Sequence, residues 1–340
     1  MGINEFLKTV LEWIYGFVGN YGWAVVLFTL LVRLIVMPFD YKSRVGMRRM
    51  QKITPMQAKI QKKYEKDPDK MNRKLQELYS QQHVNPLSSC LPMLISFPIL
   101  IAMFTAMRMV ANEHLAQQAF DIIASGNPTM DSWLWVKNVW MPDSPFAAVW
   151  PNLDSLRVVA SNEWLSVFNN LPQTTLDALA NSGLVLTAES FTGDALSATI
   201  QAIYDTMRTI PSYIEHVQYY SNLTIPLFNL RVFVNYNGYF ILPLLAAGGQ
   251  FLMTKISGST QTPAADDAQA QQAQNSMKFM NYFFPIFTLI LCFNYNAIFA
   301  LYWVASNVIA IVQTKGINMY LDHKEAMEEA NPNKNTGSLK

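Results

Sequence analysis

Charge is scarce in this chain of 340 residues: 14% are charged and 51% hydrophobic, where soluble domains carry roughly 25% charge. The two cysteines, Cys90 and Cys292, both lie in apolar stretches, which excludes a disulfide framework. The four histidines are scattered without Cys/His spacing, so no metal is expected. HExxH, GxSxG and P-loop motifs are absent, as is any pair of intramembrane aspartates. An enzyme therefore has no support, and no cofactor is expected. No internal repeat of the solenoid or inverted-transporter kind is visible.

What is present is sorted by position. Residues 39–84 hold 12 of the 25 Lys and Arg residues, whereas 109–230 hold three (Lys137, Arg157, Arg208) against eleven acids. Such sorting is expected when loops lie on opposite sides of a bilayer. The pattern predicts an all-α integral membrane protein with a five-span core, a cytoplasmic helical hairpin and an N-terminal amphipathic surface helix. Residues 1–19 form that surface helix, with Ile3, Phe6, Leu7, Val10, Leu11 and Ile14 opposite Asn4, Glu5, Lys8 and Glu12. It lacks the basic start and small-residue cleavage site of a secretory signal, so it is expected to stay in the mature protein.

The first span is expected at 20–39, ending near Pro38, and 40–84 is a basic cytoplasmic hairpin. Within that hairpin, Thr54-Pro55 and Asp67-Pro68 each read as a helix start. The second span is expected at 85–109, an external region with five tryptophans at 110–230, and the third span at 231–255. A flexible cytoplasmic loop follows at 256–275, then the fourth and fifth spans at 276–316, turning at Asn294-Tyr295-Asn296. The tail at 317–340 is cytoplasmic, with its end read as disordered. The positive-inside rule sets the N-terminus outside and the C-terminus in the cytoplasm of a multi-pass plasma-membrane protein.

One basic residue sits deep in an apolar run: Arg33, in VVLFTLLVRLIVMPF. A mid-span arginine costs about 2.5–3.5 kcal/mol on insertion scales. Two readings stand: the side chain snorkels to the cytoplasmic face, or it opens into a water-filled cavity. No acid appears inside any span as a fixed partner. Thr29, Gln250, Asn281, Ser306 and Asn307, with the amphipathic rings of Tyr302 and Trp303, could share a half-wet groove with it. Singly, each is as well explained by ordinary helix–helix hydrogen bonding or interface placement. The hairpin cations (among them Arg48, Arg49, Lys59, Lys62, Lys63 and Lys66) are either a solvated positive-inside loop or a docking arm for anionic lipid, ribosome or nascent chain. No base-stacking aromatics interleave with them, so nucleic acid is not an expected substrate.

The sequence resembles the YidC family of membrane protein insertases. The resemblance rests on NYGWAVVLFTLLVRLIVMP, YSQQHVNPLSSCLPMLISFPILIAMF, WLWVKNVWMPD, GYFILPLLAAGGQFLMTKIS and MNYFFPIFTLILCFNYNAIFALYWVASNVIAIVQ. It implies a non-enzymatic insertase and chaperone that moves nascent membrane proteins into the bilayer through a hydrophilic intramembrane groove. Arg33 matches the groove arginine that attracts acidic substrate flanks. Thr29, Leu100, Gln250, Tyr302 and Trp303 match groove or substrate-contacting positions, and the basic hairpin matches a mobile cytoplasmic arm. The implied partners are nascent membrane proteins and the lipid bilayer, with the ribosome and the Sec translocon as candidates. The lack of a large domain before the first span looks like the Gram-positive type, although a lipoprotein signal and cysteine are missing. The family often carries Pro-Ser-Gly where this chain has Asn296-Ala297-Ile298. The alternative from the residues alone is a small-solute transporter or anion channel using Arg33 as a selectivity charge.

Overall fold

The structure is a computed structural model describing residues 2–84, 91–225, 228–258 and 268–330, with side chains described for all of these except 91–97, 225, 228–229, 257–258, 268–278, 280–281 and 328–329. In chain order the helices are α1 (Ile3–Val18), α2 (Tyr21–Lys63), α3 (Pro68–Gln81), α4 (Leu91–Ser125), α5 (Leu153–Arg157), α6 (Ser161–Asn169), α7 (Gln173–Asn181), α8 (Ala195–Met207) and α9 (Pro211–Val217). Strands β1 (Tyr220–Ile225) and β2 (Phe228–Phe233) follow, then α10 (Ile241–Gly258), α11 (Ala268–Asn294) and α12 (Ala297–Ala330). Among the described residues, α2 and α12 each hold a stretch long and apolar enough to cross a membrane, and shorter apolar helices occupy Ile241–Ile256 and Tyr282–Asn294.

The helix ends follow from local chemistry. Glu5 reaches back to accept from the Gly2 backbone N–H, opening α1, and Gly19 closes it. Asp67 caps α3 by accepting from Lys70 N at 3.1 Å, with Pro68 at the first helical position. At the corner before α12, Asn296 Oδ1 accepts from Phe299 N at 3.3 Å.

Several expected bounds move. The chain is mostly helical, as expected, with one short hairpin added: β1 and β2 pair antiparallel, with Tyr220 opposite Phe233 and Leu223 opposite Leu230. α2 runs unbroken through Pro38 and Pro55, so neither proline marks a boundary. Thr54 donates back to the Met50 carbonyl, the bond of a helix-interior threonine rather than of a cap. α4 continues well past residue 109, to Ser125. Residues 231–240 are strand and turn, and the third apolar helix starts only at Ile241. α11 starts at Ala268, inside the stretch read as a flexible loop, whose residues 259–267 lie outside the described set. α12 carries on through Lys324 to Ala330, inside the stretch read as a disordered tail. Alanine and glutamine in the first case, and Lys, Glu and Ala in the second, are good helix formers; an adjoining apolar helix needs no new nucleus to extend into them.

The chain divides into two compact units. The first comprises Met1–Phe28, Ile101–Ala247 and Phe287–Val304. Its centre is a knot of buried polar groups around the segment WLWVKNVWMPD. Asn237, fully buried, donates through Nδ2 to the carbonyls of Asn138, Met141 and Pro142 at 2.8–3.0 Å, and its Oδ1 accepts from Asn138 N at 2.8 Å. Asn138 in turn donates to Gln118 on α4 and to the Val149 carbonyl. Asp143 accepts from Leu242 N and Phe240 N, capping α10. The first backbone N–H groups of α12, on Ala297 and Ile298, donate to the carbonyls of Met141 and Val139 at 2.9 and 3.0 Å. α1 is tied to α4 by Lys8 and Glu113 at 2.5 Å, leaving Phe6, Trp13 and Phe17 exposed along one side. Gly22 lies directly on the ring of Trp133, where a Cβ has no room.

The second unit comprises Thr29–Leu100, Gly248–Ile286 and Ala305–Lys340. It contains most of α2, which turns back through residues 64–67 into α3. The returning helix meets α2 where Gln57 donates to the Tyr79 hydroxyl at 3.1 Å, and Ile53 and Leu78 are buried. α10 approaches α12 closely at Gly249, where an added Cβ would lie 3.1 Å from the Asn307 side chain.

Candidate functional site

In the second unit α2 is two-sided. Leu30, Leu31, Leu34, Ile35 and Phe39 are exposed, whereas Thr29, Val36 and Ser43 are buried. Arg33 is half-buried on the inner side and donates from Nη2 to the Ser306 hydroxyl of α12 at 2.5 Å. The arginine therefore has a fixed neutral partner, which its sequence context did not reveal. One of the guanidinium's five donors is used in that bond.

The Arg33–Ser306 bond is the first rung of a ladder. Arg44 donates to the Thr314 hydroxyl at 2.5 Å. Arg48 donates to the Asn318 carbonyl at 3.0 Å and pairs with Asp322 at 2.6 Å and Glu325 at 3.3 Å. Lys52 pairs with Glu325 at 3.1 Å. Both partners advance along their helices together, so these parts of α2 and α12 run parallel. From Arg33 to Lys52 the ladder is about 28 Å long, at ~1.5 Å rise per residue.

Asp40 sits among these rungs. Residues 33, 40 and 44 fall within about 40° of one another on a helix turning ~100° per residue. Burial, the larger effect, pushes the Asp40 carboxyl above the ordinary carboxylate range, and Arg33 and Arg44 pull it back down. The exchange is mutual: burial lowers the pKa of Arg44 and Asp40 raises it.

The remaining expected residues are placed as follows. Thr29, Leu100, Gln250 and Asn281 belong to the same unit as Arg33 and Ser306. Thr29 is buried, Leu100 and Gln250 are half-buried, and the Asn281 side chain lies outside the described residues. Asn307, beside Ser306, is buried where α12 meets Gly249. Tyr302 and Trp303 belong to the first unit, with Tyr302 buried and Trp303 edge-on to Phe299. Of the hairpin cations, Arg49, Lys59, Lys62, Lys63 and Lys66 are exposed. Arg48 is committed to Asp322 and Glu325. Asp40, Arg44, Thr314, Asp322 and Glu325 were not singled out from the sequence. The signal was the 3.6-residue recurrence of charge on α2 beyond Arg33, which a search confined to apolar runs passes over.

Residues 13–188 and 195–325 match the family model described as 60Kd inner membrane protein. The match covers most of the chain, including Arg33, Asp40 and every rung of the ladder. The chain belongs to the YidC family. Among relatives, it is 44% identical over 98 residues to the membrane protein insertase YidC of Wolinella succinogenes, covering 29% of this chain and 18% of the relative. It is 40% identical over 106 residues to the protein of the same name from Caldanaerobacter subterraneus subsp. tengcongensis, covering 31% and 52%. With that of Nitratidesulfovibrio vulgaris it shares 41% identity over 101 residues, covering 30% and 19%. The matched stretches thus span between 18% and 52% of these relatives. Membership makes this a membrane protein of a family described from an inner membrane.

Proposed function

We propose that this chain is a membrane protein insertase and chaperone that receives nascent, mostly apolar segments and releases them into the bilayer through a hydrophilic intramembrane groove. The observation that carries the reading is Arg33: a guanidinium in an apolar helix, held toward α12 by Ser306 rather than neutralised by a carboxylate within 4 Å among the described residues. Thr29, Leu100, Gln250, Asn281 and Ser306, all of the second unit, are assigned to the groove, and Tyr302 and Trp303 of the first unit to contact with the guest. Arg33 pairs transiently with an Asp or Glu in the polar flank of the guest, which lowers the cost of carrying that flank across. Burial of the apolar segment in lipid supplies most of the drive, at about 25 cal/mol per Å². A potential negative inside helps move an acidic flank outward, at about 2.3 kcal/mol per charge per 100 mV. The protein's own part is positioning and electrostatics, with neither nucleotide nor metal.

The arrangement in the membrane belongs to the same proposal. Five spans place the N-terminus outside and the C-terminus in the cytoplasm. Supporting this, α2 and α12 run parallel through the ladder, as the first and last of an odd number of spans must. The exposed cations Arg49, Lys59, Lys62, Lys63 and Lys66 form the docking arm, open to the ribosome, the Sec translocon or anionic lipid. Arg48 anchors that arm to α12.

The test is insertion of a single-span substrate with an acidic flank into proteoliposomes. Arg33→Ala is expected to lose most activity, and Arg33→Lys to retain a large part if charge outweighs the planar fork. Full activity in Arg33→Ala would remove Arg33 from the mechanism. Ion flux that depends on Arg33, without insertion, would favour a channel instead.

A further inference from the structure

Between residues 29 and 52 α2 carries six cations (Arg33, Lys42, Arg44, Arg48, Arg49 and Lys52) and a single acid, Asp40. The other two acids of the ladder are engaged at its far end, Asp322 with Arg48 and Glu325 with Arg48 and Lys52. Arg33 and Arg44 are bonded instead to hydroxyls, Ser306 and Thr314, which orient a guanidinium without cancelling its charge. Asp40 lies two helical turns beyond Arg33 and one before Arg44, on their side of α2, half-buried like both of them. The register of the ladder, about 270 residues between partners, sets Ala310 across from Asp40. Ala310 is buried and its methyl can donate nothing to a carboxylate. Among the described residues, the only charges set against Asp40 are those of Arg33 and Arg44.

We propose that Asp40 is a resident counter-charge for Arg33 and Arg44, with which the acidic flank of a guest has to compete, so that Asp40 sets how sharply the site prefers acidic flanks. The proposal rests on the insertase reading for its guest, but not for its electrostatics. A half-buried carboxylate beside two arginines lowers the local potential that a second carboxylate experiences. Removing it strengthens the attraction for an acidic flank and leaves a neutral flank nearly unaffected. Asp40→Asn keeps the shape and removes the charge, and Asp40→Glu keeps the charge.

Two measurements test this. In the first, proteoliposomes insert matched single-span peptides whose flanks carry Asp or Asn at the same position. Asp40→Asn is expected to raise the acidic-to-neutral rate ratio roughly three- to tenfold, the effect of one unit charge at ~10 Å and intermediate dielectric, while Asp40→Glu leaves it near wild type. An unchanged or reduced ratio in Asp40→Asn overturns the proposal. The second uses Ile309, which is half-buried on α12 about one turn beyond Ser306. Ile309→Cys, in a chain whose Cys90 and Cys292 are replaced by Ser, is modified with anionic and cationic methanethiosulfonates. Asp40→Asn is expected to raise the anionic-to-cationic rate ratio, and no change overturns the proposal. If the wild-type chain inserts neither peptide, yet Asp40→Asn changes the ratio in the Ile309→Cys chain as expected, the insertase reading is refuted and the role of Asp40 upheld.

Discussion

Two polar regions of this protein satisfy buried groups in opposite ways. The knot around Asn138 and Asn237 in the first unit is built on fully buried side-chain amides, which spend their donors and acceptors on backbone groups and on one another. The ladder from Arg33 to Lys52 in the second unit is charged and half-exposed, and its partners are hydroxyls, one backbone carbonyl and carboxylates. A buried amide cannot let go of its carbonyls without leaving them unpaired, at about 1–3 kcal/mol each. A half-exposed arginine can exchange one oxygen for another at little cost, because water covers the interval. The knot is built to hold position, and the ladder is built to exchange partners.

The largest expected effect tests the first half of that contrast. Asn237→Ala removes the donors to three carbonyls and the acceptor for Asn138 N. It is expected to destabilise the first unit by about 3–5 kcal/mol, read as a large drop in the denaturation midpoint of detergent-solubilised protein. A loss under about 1 kcal/mol would mean water replaces the amide and the knot is as exchangeable as the ladder. Next in size is Gly22→Ala, whose methyl collides with the Trp133 ring. Overpacking of this kind costs about 1–3 kcal/mol, and a changed Trp fluorescence would locate the strain.

The ladder should respond far less in stability. Glu325→Gln breaks the pair with Lys52 and the longer of the two carboxylate pairs of Arg48, which keeps Asp322. With Glu325 and Asp322 well exposed, the cost is about 0.2–1 kcal/mol per pair and shrinks with salt. The informative readout is protease access to the hairpin, expected to rise in Glu325→Gln. Unchanged access would mean that Glu325 does not help hold the arm.

The smallest effect comes from pH. His114, in α4 within the first unit, stacks on Trp140 at 4.1 Å and meets Tyr21 edge-on. Burial, the largest influence, holds its pKa below the ordinary 6.5, against the opposing pull of the Val110 carbonyl and of Asp131, Glu113 and Glu12. The unfolded chain therefore binds this proton more readily. The contribution is complete above the ordinary value near 6.5 and is lost as pH falls through the lower folded pKa. His114→Phe is expected to flatten that acid slope in a denaturation series. An unchanged slope would assign it to the neighbouring carboxylates.

Much of this was legible in residue order. The run around Arg33 fixed an apolar helix with an arginine in it, and Asp67-Pro68 fixed where α3 begins. The Asn294-Tyr295-Asn296 corner fixed the turn between α11 and α12. These are local matters of periodicity, capping and missing N–H groups, which neighbours in sequence settle. Where the helices stop was less legible: Pro38, Pro55 and the polar stretch from Ala268 read as breaks, yet helix runs through all three. An established helix propagates across a residue that would not nucleate one. The partner of Arg33 was not legible at all, since Ser306 lies 273 residues away and one serine in an apolar helix resembles any other. The sequence by itself determined that a cation would sit among apolar side chains. Only the tertiary structure decided that it bonds a hydroxyl, and that an alanine rather than a donor stands across from Asp40, because both depend on the register of α2 against α12, which no local pattern encodes.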